Sequence, residues 1–263
     1  MQTSRVSQLI RDGVVLAYEE AGSGDPPLVF VHGVACHRGF WVSQLGHFAR
    51  ARRVIAVDLR GHGGSDAPEQ RYTIAGFADD LAWTCMQLEV LRPVVVGHSL
   101  GGLIGLALAA DPARVSAVAL IDSVLLPSAG RDGVVGELVA GLRSPDSERT
   151  LRDYFETFFG RDDDLARQAW ILEQAIRTPP HVTSSVWEES LRSWDDEEAL
   201  RRCQVPALYL DAGTANADLV RARQLCPQLT IGQTIGSGHF SPLEVPEQVN
   251  PMLERFLTMR VDR

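Results

Sequence analysis

The stretch VVVGHSLGGLIGLALAA, Val94 to Ala110, decides how the chain is read. A run of β-branched residues breaks at Gly97-His98-Ser99-Leu100-Gly101-Gly102, then resumes as an Ala/Leu-rich pattern of helical character. A plain strand-to-helix connection needs one glycine at most, whereas this one sets three around a single serine. Without a Cβ, glycine permits a turn too sharp for other residues. A serine at the apex of such a turn projects its hydroxyl above the carboxyl edge of a sheet, and small residues are needed two positions before and after it. Gly97 and Gly101 occupy those positions. The N–H of Leu100, opening the helix, points at the same space and can stabilise negative charge on a substrate oxygen. Ser99 is therefore the candidate nucleophile. A glycine-rich packing turn with an incidental serine is the weaker reading, because the strand before and the helix after are both present.

Outward from this turn, apolar strands and helical patterns alternate. VSQLI, Arg11-Asp12-Gly13 and VVLAYEEAG read as a hairpin with an Asp-Gly turn. Leu28 to Val31 and Val54 to Val57 are short, wholly apolar strands, with helical stretches at 38–50 and 73–89. Val115 to Ile121 is the next strand and ends at Asp122. From Val205 the rhythm returns, with strands at Ala207 to Leu210 and Thr230 to Ile235 and helices near 218–225 and 246–257. Strands that are apolar throughout argue for a parallel sheet covered on both faces. Between Val124 and Arg202 the alternation stops in favour of helical patterns and charge clusters, among them Arg161 to Asp164 and Asp195 to Glu198. The expected organisation is a doubly wound core (1–123 and 203–263) interrupted by a helical insertion (124–202).

Composition bounds the function. The chain has 263 residues, 45% of them hydrophobic and 22% charged, with a formal charge of −9 and no basic stripe. That balance disfavours nucleic acid or anionic membrane as the main partner. Cys36, Cys85, Cys203 and Cys226 form no CxxC pair and read as ordinary thiols of a reducing compartment. The first residues lack the apolar core of a signal peptide, and no apolar run reaches membrane-span length. The expected setting is cytoplasmic. The histidines show no paired spacing for a metal, and the glycine loop 61–64 lacks the phosphate-cradle pattern, so no cofactor is expected.

Four features together resemble the α/β-hydrolase superfamily over nearly the whole chain: the Gly97–Gly101 turn, His32-Gly33 after the third strand, Asp58-Leu59-Arg60-Gly61-His62-Gly63-Gly64-Ser65, and Gly238-His239-Phe240 after the last strand. The resemblance implies a mostly parallel eight-stranded sheet with residues 124–202 as a helical cap. It further implies that Val34 gives the second oxyanion-hole N–H beside that of Leu100, and that His239 is the base towards Ser99. His98 and His62 read as architectural, and His32 as holding the His-Gly loop. Trp41 and His32 are also the expected substrate contacts. Phe40, Phe155, Phe158, Phe159, Trp170 and Trp187 are candidates for an apolar pocket, although aromatics at helical spacing more often form a cap's own core.

The acid has three candidates. Family members usually place it a few residues past a glycine after the strand that follows the cap; here Asn216 stands three residues after Gly213, with Asp218 beyond it and Asp211 before the glycine. Others take it from the end of the strand after the nucleophile helix, where this chain has Asp122. An acid at a strand's carboxyl end faces the ligand crevice in such sheets, and Asp122 is the preferred choice. The implied activity is hydrolysis of a small, largely apolar ester or lactone through an acyl-enzyme, as in small esterases and enol-lactone hydrolases. Other chemistries of the fold stay open: C–C bond hydrolysis, cofactor-free oxygenation and ligand reception. The implied partner is a small-molecule substrate, and many family members form homodimers.

Overall fold

The computed structural model describes residues 4–126, 131–160, 163–214 and 216–262. Arg161 and Asp162 of the first charge cluster lie outside them. Strands β1 (Arg5–Arg11) and β2 (Val14–Ala21) form the expected hairpin. Asp12 and Gly13 turn it with φ of 53° and 80°, the two positive values of the turn that matches strand twist. After β3 (Leu28–Val31), the helical stretch divides into a tight 3₁₀ turn, Arg38–Trp41, and α1 (Val42–Phe48). There follow β4 (Val54–Val57), α2 (Ile74–Gln87), β5 (Val94–His98), α3 (Leu100–Leu108) and β6 (Ala117–Ile121). Thr73 caps α2, its hydroxyl accepting from the N–H of Gly76.

Beyond β6 come α4 (Arg131–Leu142), α5 (Ser147–Glu156), α6 (Leu165–Ala175), α7 (Pro180–Ser185), a π-helical turn at Val186–Leu191 and α8 (Asp196–Arg202). The chain then returns through β7 (Ala207–Asp211), α9 (Leu219–Leu225), β8 (Leu229–Gln233), α10 (Ser241–Glu244) and α11 (Pro246–Arg260). β8 is shorter than its sequence suggests, so Thr234 and Ile235 belong to its exit loop.

The eight strands run in the order β1-β2-β4-β3-β5-β6-β7-β8, antiparallel at the first two pairings and parallel from β4 onward. Alternation along each parallel strand builds two separate cores. Val29, Val31, Ile55, Val57, Val95 and Val118 face α2 and α3, whereas Leu28, Phe30, Val54, Ala56, Val94 and Val96 face α1 and α11. Strand order reverses on either side of β3 and β5, and in such a sheet the crevice opens at the carboxyl ends of those strands. There lie Gly33 and Val34 after β3, and Ser99 after β5.

The glycines of the turn are there for space. A Cβ on Gly97 would overlap the Gly101 carbonyl, and one on Gly101 would overlap the carbonyl oxygen of Val31. Each clash is with backbone, which cannot swing aside. Gly97→Ala is therefore expected to destabilise the protein by about 3 kcal/mol or more, at the upper end of overpacking costs, as read by urea unfolding.

Candidate active site

Ser99 sits between β5 and α3 with φ 51° and ψ −117°, a conformation that non-glycine residues seldom adopt. The strain has a use, since it turns the side chain out of the sheet while the next residue starts a helix. The hydroxyl makes no capping bond to that helix. Ser99, Gly33, Val34 and Leu100 line one cavity of about 50 Å³ together with His98, His239, Phe240, Asn216 and apolar side chains.

His239, 4% exposed, reaches this cavity from the loop between β8 and α10. Its Nδ1 lies 2.6 Å from Oδ2 of Asp122, which leaves Nε2 as the ring nitrogen for a hydroxyl. Asp122 is fully buried at the end of β6. Thr214 Oγ1 donates to its carboxylate (2.8 Å to Oδ1), Asn216 Nδ2 donates to Oδ2 at 2.9 Å, and the Ala212 N–H to Oδ1 at 3.3 Å. Burial alone would raise this carboxyl, but the hydrogen bond and charge of His239 and the Thr214 hydroxyl outweigh it and hold it below its ordinary value. The other candidate acids are engaged elsewhere. Asp218 is exposed and caps α9 by accepting from the N–H of Arg221, while Asp211 accepts from the N–H of Gly213. Asn216, standing where the usual acid was sought, is instead a donor to Asp122.

Two expected substrate contacts lie outside this cavity. Trp41 is 1% exposed and packs in the α1/α11 core, its ring 5.1 Å from that of Phe30. His32 is fully buried; its Nε2 accepts from the N–H of Leu59 at 3.0 Å and its Nδ1 lies 2.7 Å from the carbonyl oxygen of Gly33. It joins the loop after β3 to the glycine loop after β4. Neither lines the Ser99 cavity. Asp58 organises that glycine loop by accepting from the backbone N–H groups of Arg38 (2.7 Å) and Gly64 (2.8 Å) and pairing with the Arg38 guanidinium.

The cavity wall opposite the sheet comes from helices between β6 and β7. Phe155 and Phe158, together with Tyr154, reach it from α5 and the turn after it, while Trp187 and Leu191 come from the π-helical turn. Single π turns are frequent at functional sites. Phe158 stacks on His239 with centroids 4.3 Å apart and planes at 22°. The sequence reading missed Tyr154, Leu191, Leu103 and Val124 as wall residues. Nothing local distinguishes them from other core side chains.

Three further histidines shape the pH response. His32, His62 and His98 are all buried, and desolvation holds each below its ordinary value, His62 at about 4. In the unfolded chain a histidine titrates near 6.5, so the unfolded state takes up protons first as pH falls. Their contribution is complete above about pH 6.5 and declines as pH falls towards the folded-state values. With three such groups the slope approaches about 4 kcal/mol per pH unit near pH 5, which urea unfolding between pH 7 and 5 will show.

This arrangement of turn, loops and sheet order matches a known one. A family model described as alpha/beta hydrolase fold covers residues 26–246. The chain belongs to the alpha/beta hydrolase family. Among relatives, it is 33% identical over 167 residues to the dihydrolipoyllysine-residue acetyltransferase component of the acetoin cleaving system of Cupriavidus necator, covering 63% of this chain and 43% of that protein. The corresponding Pseudomonas putida component is 27% identical, with 91% and 65% covered. The chain thus spans less than two thirds of the length of either. Among solved structures, the enol-lactonase of Burkholderia xenovorans superposes with TM-score 0.86 at 24% identity, covering 96% of this chain and all of the other. The esterase RhEst1 of a Rhodococcus species gives 0.79 at 26%, covering 96% and 98%. Among the described residues of this alpha/beta hydrolase, no helix is long and apolar enough to cross a membrane.

Proposed function

We propose that the chain is a serine hydrolase that cleaves a small, largely apolar carboxylic ester or lactone through an acyl-enzyme. The observation that carries this is the 2.6 Å contact between His239 Nδ1 and Asp122 Oδ2 on a side chain that shares a cavity with Ser99. His239 Nε2 takes the proton of the Ser99 hydroxyl as Oγ bonds to the carbonyl carbon. The resulting oxyanion lies between the N–H groups of Val34 and Leu100. Collapse expels the alkoxide, which leaves with the proton from His239. A water then repeats the cycle on the acyl-enzyme and frees the acid. Asp122 keeps the imidazole in the tautomer with Nδ1–H and stabilises the imidazolium. Loss of one oxyanion donor typically costs about 2.7–4 kcal/mol, so the loop after β3 matters as much as the side chains.

Residues 124–202 act in this reading as a cap that excludes water and selects the substrate. A cavity of about 50 Å³ walled by Leu103, Phe155, Phe158, Trp187 and Leu191 favours a small apolar acyl group. Family membership, with an enol-lactonase and an esterase among its structural neighbours, supports hydrolysis. The test is intact mass after exposure to a small serine-directed phosphonate, followed by a panel of short-chain esters and lactones. One adduct, absent from Ser99→Ala, is the expected result; no adduct on the folded protein would overturn the reading.

A further inference from the structure

The peptide that carries His239 is held by side chains on both sides. The N–H of Gly238 donates to Oε2 of Glu244, and the N–H of Phe240 donates to Oε1 of the same carboxylate at 2.9 Å. The carbonyl of His239 lies 2.7 Å from Nε2 of His98; with that nitrogen protonated, His98 is the donor. Thus the donors just before and just after His239, and its own acceptor, are all engaged. Glu244 is half-buried, and none of the described residues forms an ion pair with it. Both of its oxygens are spent on this one loop. Phe158 closes over the imidazole face, and its carbonyl oxygen sits 3.0 Å from where a Cβ on Gly238 would be.

We propose that Glu244 is the positioning residue for His239: by gripping the N–H groups of Gly238 and Phe240, its carboxylate sets the backbone from which the imidazole reaches Ser99. The role rests on the reading of Ser99 and His239 as nucleophile and base. Asp122 fixes the ring, but a ring bonded only at Nδ1 can still pivot with its backbone. Two charge-assisted bonds from one planar carboxylate remove that freedom, because they fix the residues on either side of His239. A base must lie within hydrogen-bond reach of its proton, and a misplacement of 1 Å can cost a factor of about 100.

The experiment compares phosphonate labelling of wild type, Glu244→Gln and Glu244→Leu, with kinact and KI resolved and the folded fraction measured by near-ultraviolet circular dichroism. Glu244→Leu, with no acceptor, is expected to lower kinact by about 100-fold while KI stays within about twofold. Glu244→Gln keeps one acceptor oxygen and should recover about tenfold of that loss. The low-field proton resonance of the His239–Asp122 hydrogen bond should broaden in Glu244→Leu. If the leucine variant does not fold, Glu244→Gln carries the comparison. Folded variants that label within about twofold of wild type overturn the role of Glu244, as does a loss that merely follows the folded fraction. A wild type that takes no label overturns the serine–histidine reading itself, and this role with it.

Discussion

Ser99→Ala is expected to lower ester hydrolysis by about 10⁵-fold or more in kcat, the scale seen when a serine nucleophile is removed from an assembled site. Stability should change little. The Ser99 side chain caps nothing, and the bond that anchors the turn runs from Ser123 Oγ to the Ser99 carbonyl, which alanine retains. Residual turnover would come from the oxyanion donors and binding alone. The comparison is made on the best ester or lactone of the panel, with unfolding by urea as the control. A variant that keeps activity within tenfold of wild type would sink the acyl-enzyme mechanism. Oxygen-dependent turnover, lost under nitrogen, would then identify the oxygenase chemistry of this fold.

Asp122→Asn is expected to lower kcat by about 10³–10⁴-fold, as an amide in this place favours the wrong imidazole tautomer. Asp218→Asn and Asp211→Asn should each stay within about threefold, because one is a helix cap that asparagine also serves and the other holds a loop N–H. Asn at 122 also sets an NH₂ among the donors Thr214, Asn216 and the Ala212 N–H. An unpaired buried donor costs about 1–3 kcal/mol, so rates must be referred to folded protein. Asp122 lies below its ordinary value in the folded state. Its contribution to stability is therefore present above about pH 4 and lost as pH falls through the folded value. Near-silent Asp122→Asn with a dead Asp218→Asn would reverse the assignment.

Local patterns explain why much of the architecture was legible. Leu28 to Val31, Val54 to Val57 and Val94 to Val96 are apolar at every position, and such runs are stable only with both faces covered. Asp12-Gly13 has the residues its turn demands. The stretch 124–202 showed helical spacing and no strand, and the elements described there are helices joined by turns, with a single β-bridge from Leu125 to Ala217. Trp41 lies away from the Ser99 cavity for an equally physical reason. Beside the His-Gly loop it looks like a substrate contact, but the tight turn Arg38–Trp41 sends neighbouring aromatics to opposite faces of the sheet. Phe40 joins the core on the cavity side and Trp41 the core under α1 and α11. No periodicity in four residues announces that division. Glu244 was invisible because its value lies in backbone donors six and four residues before it in sequence, held by a loop that no local pattern specifies.

The sequence alone determined the strand–turn–helix around Ser99, since that turn is dictated by missing Cβ atoms, and the doubly wound class, since apolar runs and helical periodicity are properties of neighbours along the chain. Which carboxylate meets His239 was decided only by tertiary structure. Asp122, Asp211 and Asp218 all stand near the carboxyl ends of β6 and β7, and nothing within a few residues separates them. Strand register does: Ile121 pairs with Leu210, and the Asp122 N–H donates to the Leu210 carbonyl at 2.9 Å. That pairing places Thr214 and Asn216 over the Asp122 carboxylate, beside a histidine 117 positions away in the chain. Contacts between distant segments depend on how strands align and where loops cross, and the residues at those crossings carry no mark of it in their local sequence.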